Sequence, residues 1–222
     1  MIKKKLFLGV MGLLLDTFCP AQIRPQRVLD TSFVQQQASD SSFENKKIDT
    51  TFSTQIKTAL LFYPELRASK ITFKVTATRS PLAARPSIWA VFQRPKNRRY
   101  IVTISKKTLP FLEPILLKNL SFNAQVGVLG HEISHIADFN QRKGLYFVKL
   151  LFMQFSKKAM DIFENNTDRR TIEHGLGYQL LAWSTEVREN LKIKQWNGAN
   201  TEGVQKSERY MSPQTIMGLM NY

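Results

Sequence analysis

The sequence predicts an α+β fold: a small antiparallel or mixed sheet packed on one histidine-bearing helix, followed by a helical C-terminal half. Three observations carry this. Strand-type alternation is confined to residues 71–105. Two histidines one helical turn apart, His131 and His135, follow directly. Helical patterning without further strand signals runs through most of the remaining chain. With 222 residues, 43% of them hydrophobic, the chain can bury one sizeable core.

The N-terminus reads as a secretory signal peptide over 1–21. Lys3-Lys4-Lys5 is a positive start, residues 6–15 are an apolar run, and Cys19-Pro20-Ala21 supplies small residues for cleavage before Gln22. Such a segment predicts export to the periplasm or beyond. Phe18 is bulky where lipid attachment to Cys19 needs a small neighbour. Cys19 is the only cysteine, so loss of the signal leaves no disulfide and no thiol ligand. Any metal site must then use histidines and carboxylates.

Residues 22–47 are rich in Gln, Ser, Asp and Asn and read as a flexible polar lead-in, from which Phe33, Val34 and Phe43 can still dock. The main domain runs from 48 to 222. A helix is expected over 53–63, where Ile56, Leu60 and Tyr63 share a face and Pro64 ends the pattern. Residues 71–78 alternate as a strand. Residues 87–93 and 99–105 flank a Pro-Lys-Asn-Arg turn, as an antiparallel hairpin does. A Pro-punctuated apolar stretch over 109–120 leads to the next helix, which Ser121 or Asn123 can cap. Residues 145–155 are very apolar but too few to span a bilayer. They read as a core helix, with a lid or an interfacial segment as the alternative.

The chemistry resides in His131-Glu132-Ile133-Ser134-His135. Residues i and i+4 lie on one helix face, so two imidazoles can converge on one Zn²⁺, and Glu132 can act as general base on the zinc-bound water. Only three histidines occur in the chain, and two are here. Gly127 lies one turn before His131 and leaves room either for substrate or for a packed neighbour.

A catalytic zinc takes a third protein ligand. The metzincin pattern needs Gly at 138 and His at 141, where this chain has Asp138 and Gln141. Glu164 and Asp168 are i and i+4 on a later helix; Glu164 can ligate while Asp168 orients a ligand histidine. Asp138 and His174 are the competing ligands. His174 and Tyr178 are also candidate oxyanion stabilisers.

In joining H-E-x-x-H to a later E-x-x-x-D helix, the chain resembles the gluzincin zinc peptidases. The resemblance implies a zincin-like fold, metal ligands His131, His135 and Glu164, base Glu132, supporting Asp168, and a peptide or protein substrate.

A formal charge of +15 suits peripheral contact with an anionic envelope surface. The basic residues are scattered rather than arranged as a nucleic-acid groove; the densest run, 94–99, reads as a hairpin tip. The reading from another function class is a non-catalytic zinc-containing binding module that uses this basic surface.

Overall fold

The computed structural model describes residues 25–37, 40–196 and 208–220. The signal-peptide reading of 1–21 falls outside them. The described residues form an α+β fold with seven α-helices and one four-stranded mixed sheet.

Leu29, Phe33 and Phe43 pack on the body, so the described part of the lead-in is docked rather than flexible. The short helix α1 (Phe33–Gln37) buries Phe33 against Phe62, and Leu29 joins the same core. Asn123 clamps this segment, exchanging hydrogen bonds with the Leu29 amide and carbonyl. Apolar residues spaced among polar ones sufficed to dock a segment whose average composition reads as unstructured.

Strand β1 (Lys46–Ile48) runs parallel to β2 (Lys70–Thr76). Between them α2 (Ser53–Leu61) ends just before Pro64, as its pattern predicts. Strands β3 (Leu82–Pro86) and β4 (Arg99–Ser105) pair antiparallel, and β4 also pairs parallel with β2. The sheet order is β1-β2-β4-β3, which leaves β3 at an edge.

The hairpin is real, but its first strand is Leu82–Pro86 and not 87–93. Register with β4 runs from Leu82↔Ile104 to Pro86↔Tyr100, and the Ser87 amide bonds Arg99 O at 2.8 Å, where β4 begins. With no partner left, Ile88–Phe92 closes into a 3₁₀ turn. Arg98, 2% exposed, pins that turn: its Nε donates to Ala90 O and Gln93 O, its Nη1 to Phe139 O and Arg142 O. Pro86 argues against a strand in sequence, yet an edge strand tolerates it.

Helix α3 (Phe122–Gln141) is the central element, buried almost throughout and capped by the Ser121 hydroxyl. It packs against α2, β3, α5 (Lys157–Thr171) and α6 (Gly177–Leu191). The closest approach is at Gly127, where a Cβ would lie 2.1 Å from Gln179 O. The room left by Gly127 therefore belongs to α6 and not to substrate.

Helix α4 (Leu145–Met153) is not a core helix. Phe147 is buried, but Val148, Leu151 and Phe152 are 41–70% exposed. Residues 208–212 and α7 (Pro213–Met220) pack on the body, with Met211 and Ile216 buried.

Candidate metal centre

Helices α3 and α5 bring together His131, His135, Glu164 and Asp168, four of the five residues that the two motifs single out. Nε2 of His131 and Nε2 of His135 lie 3.2 and 3.3 Å from the same oxygen, Glu164 Oε2. The opposite ring nitrogens are tied back. His131 Nδ1 is 2.7 Å from Asp168 Oδ1, and His135 Nδ1 is 3.2 Å from Thr167 Oγ1. The Thr167 hydroxyl donates to Phe163 O at 3.0 Å, so it accepts from the His135 Nδ1–H. With both Nδ1 atoms held, loss of the Nε2 protons would leave two lone pairs aimed at one point, the form a metal ligand needs.

A buried His131/His135/Glu164 group of this kind could hold a metal ion. Tetrahedral ligation with bonds near 2.0–2.1 Å separates ligand atoms by about 3.4 Å, close to the two distances above. The charges agree. Glu132, Glu164 and Asp168 are all buried, and the ion pairs of Glu164 and Asp168 are with histidine, not with lysine or arginine. Burial acts to raise the Glu164 pKa, but His135 and His131 outweigh it and hold the carboxyl well below its usual range. A buried, anionic set of N and O donors is matched by a divalent cation.

Glu132 sits beside this set without joining it. Burial, reinforced by Glu164, raises its pKa against the histidines and the Ala84 amide. A carboxylate with a raised pKa, in the wall of a cleft, is a better proton acceptor than an ordinary one. The cleft, about 630 Å³, lies between β3, the turn after it, α4 and α5, with Glu132, His135, Glu164 and Tyr210 in its wall.

Tyr210 has no spacing signal in the sequence. It reaches the site because the C-terminal segment docks there: Met211 N–H donates to Asp168 Oδ2 at 2.8 Å, Ser184 Oγ donates to Met211 O, and Arg188 donates to Tyr210 O. Its ring lies 5.6 Å from His131. Burial, with Glu164, Glu132 and Asp168 nearby, raises its pKa well above 10, so the phenol stays a neutral O–H donor. Thr167 was legible in retrospect, since Glu164, Thr167 and Asp168 at i, i+3 and i+4 share a face.

The remaining candidates lie elsewhere. Asp138 pairs with Arg142 and Arg170 at 3.0 and 3.1 Å. His174 stacks on Tyr63 and bonds Glu65 and Arg170 O. Tyr178 lies under Arg27. Neither His174 nor Tyr178 lines the cleft beside Glu132.

No family model, curated protein or solved structure matches the chain.

Proposed function

We propose that the chain is an exported, zinc-dependent metallopeptidase with a zincin-like, gluzincin-type site. One observation carries the reading: two histidine Nε2 atoms and one carboxylate oxygen converge, with both Nδ1 atoms tied back, beside the buried carboxylate of Glu132 in an open cleft. His131, His135 and Glu164 would hold the metal. When bound, it would supply Lewis acidity that acidifies water and polarises a carbonyl.

The chain's own groups account for the other requirements of peptide hydrolysis. Ser105 N→Pro81 O and Ser87 N→Arg99 O put residues 81 and 87 on the β4 side of β3. By alternation, the main-chain groups of Leu82 and Ala84 and the Pro86 carbonyl face outward, along the cleft. An extended peptide can add to that edge. A smaller pocket of about 60 Å³, largely apolar, shares Ser80, Leu82, Glu132 and Tyr210 with the cleft and has room for a small side chain. Glu132 removes a proton from the attacking water as the C–O bond forms. It returns that proton to the amide nitrogen as the C–N bond breaks. The Tyr210 O–H, in the wall of the same cleft, would donate to the oxygen on which charge develops.

The test is Glu132→Gln. Metal content should be unchanged while hydrolysis of an unfolded protein falls by roughly 10²–10⁴-fold. Metal loss in this variant would make Glu132 structural. Full metal with no hydrolysis by the unaltered chain would favour the non-catalytic binding module. Exported protein should begin near Gln22 on N-terminal sequencing.

A further inference from the structure

The mouth of the cleft carries an apolar surface in basic surroundings. Of the twelve large apolar side chains exposed among the described residues, seven fall on two segments that flank the cleft. Ile88, Trp89 and Phe92, on the turn after β3, are 69–84% exposed. Val148, Leu151, Phe152 and Phe155, on or just after α4, are 41–89% exposed. The two segments share one cavity, since Ile88 lines the cleft together with Leu150 and Leu151.

The stretches of chain that carry them are one-signed in charge. Residues 66–112 contain eleven Lys and Arg and no Asp or Glu; residues 139–160 contain five and none. Together they hold half of the 32 basic residues in the chain and none of its 17 acidic ones. Arg98 and Arg142 have partners within the fold. Arg85, Arg94, Lys143, Lys149, Lys157 and Lys158 are exposed.

We propose that this rim is an interfacial docking surface for an anionic lipid bilayer. The exposed aliphatic and aromatic side chains enter the boundary between headgroups and acyl chains, and the basic ring pairs with anionic headgroups. Trp89 has the amphipathic ring favoured at that depth. Lys149, set among the apolar residues of α4, can extend its ammonium to the headgroups while its stem stays with them. Helix α4 has nine residues, about 14 Å, and so lies in the interface rather than crossing it. No helix of the described residues is long and apolar enough to cross a membrane. Resting on the peptidase reading, this orientation opens the cleft at the headgroup layer, so its substrates are peptide segments held at a bilayer surface.

The experiment is co-sedimentation of the full chain with phosphatidylcholine vesicles, with and without one-third phosphatidylglycerol. The chain should bind the anionic vesicles, and at least tenfold more weakly the neutral ones or in 0.5 M salt. A variant with Trp89→Ser, Phe92→Ser, Leu151→Ser and Phe152→Ser should bind the anionic vesicles at least tenfold more weakly. These residues are exposed, and the variant's circular dichroism and metal content should match the unaltered chain. A nitrobenzoxadiazole label at Phe155→Cys, in a Cys19→Ser background, should blue-shift on the anionic vesicles. The proposal is overturned if the variant binds as tightly as the unaltered chain, which would place binding in the apolar run at 6–15. It is also overturned if the label does not shift, or if light scattering shows a dimer that the four substitutions dissociate. None of these readouts needs hydrolysis, so failure of the docking surface is separable from failure of the peptidase reading.

Discussion

Asp168 bridges the His131/His135/Glu164 group and the C-terminal segment: its Oδ1 lies 2.7 Å from His131 Nδ1, and its Oδ2 accepts the Met211 amide at 2.8 Å. One carboxylate thus fixes the His131 ring and anchors the segment of chain that carries Tyr210. Both of its oxygens are occupied, and the residue is 1% exposed.

Replacing Asp168 should therefore weaken metal binding without abolishing it. Groups that orient a ligand histidine typically contribute 10–100-fold in affinity. Asp168→Ala should fall in that range in a chelator competition, and Glu164→Ala should fall further. Equal losses in the two variants would mean that Glu164 is no more a ligand than Asp168 is.

The approach of α6 to α3 gives a stability prediction with an internal control. In Gly127→Ala the new methyl meets the Gln179 carbonyl, a backbone atom that cannot swing aside. Overpacking of this kind costs about 3 kcal/mol or more. For a chain of this size that lowers Tm by roughly 6–12 °C. Gly218, in α7, has nothing within 4 Å of its would-be Cβ. Gly218→Ala should leave Tm unchanged or raise it, since Ala is the better helix former by about 1 kcal/mol. Equal Tm values for the two variants would contradict this packing.

The His174–Glu65 pair gives a pH dependence. Both ring nitrogens of His174 face acceptors, Arg170 O at 2.7 Å and Glu65 Oε1 at 2.9 Å, which suits the protonated ring. Burial works to lower the His174 pKa, but Glu65 and the Arg170 carbonyl prevail and raise it above 6.5. Burial likewise works to raise the Glu65 pKa, and the contact with His174 lowers it below 4.5. The histidine contribution is complete below 6.5 and lost as pH rises through the higher folded value. The glutamate contribution is complete above 4.5 and lost as pH falls through the lower folded value. The pair therefore stabilises most between pH 4.5 and 6.5. Because Glu65 is 38% exposed, the effect is screened to about 0.5–1 kcal/mol. Glu65→Gln should lower Tm more at pH 5.5 than at pH 9; an equal loss at both would contradict the charged pair.

The His131/His135/Glu164 cluster was legible because it is written locally. His131 and His135, then Glu164 and Asp168, are i, i+4 pairs, and helix geometry alone puts each pair on one face. The meeting of the two helices is a tertiary event that no spacing encodes, and the placement of Tyr210 depends on it entirely. The misplaced strand has a similar cause. Alternation in Ile-Trp-Ala-Val-Phe is as strand-like as in Leu-Ala-Ala-Arg-Pro, and only the length of β4 and the carbonyl contacts of Arg98 decide between them. Helix α4 shows the limit of hydropathy: Phe147 enters the core, while the equally apolar Val148, Leu151 and Phe152 stay exposed.

The most direct test is the metal content of the purified chain beside that of His131→Ala, His135→Ala and Glu164→Ala, each loaded with zinc and then dialysed. The account predicts one tightly held zinc per chain in the unaltered protein and a loss of at least a hundredfold in affinity in each variant. Stoichiometric zinc retained by Glu164→Ala, or by both histidine variants, would contradict it.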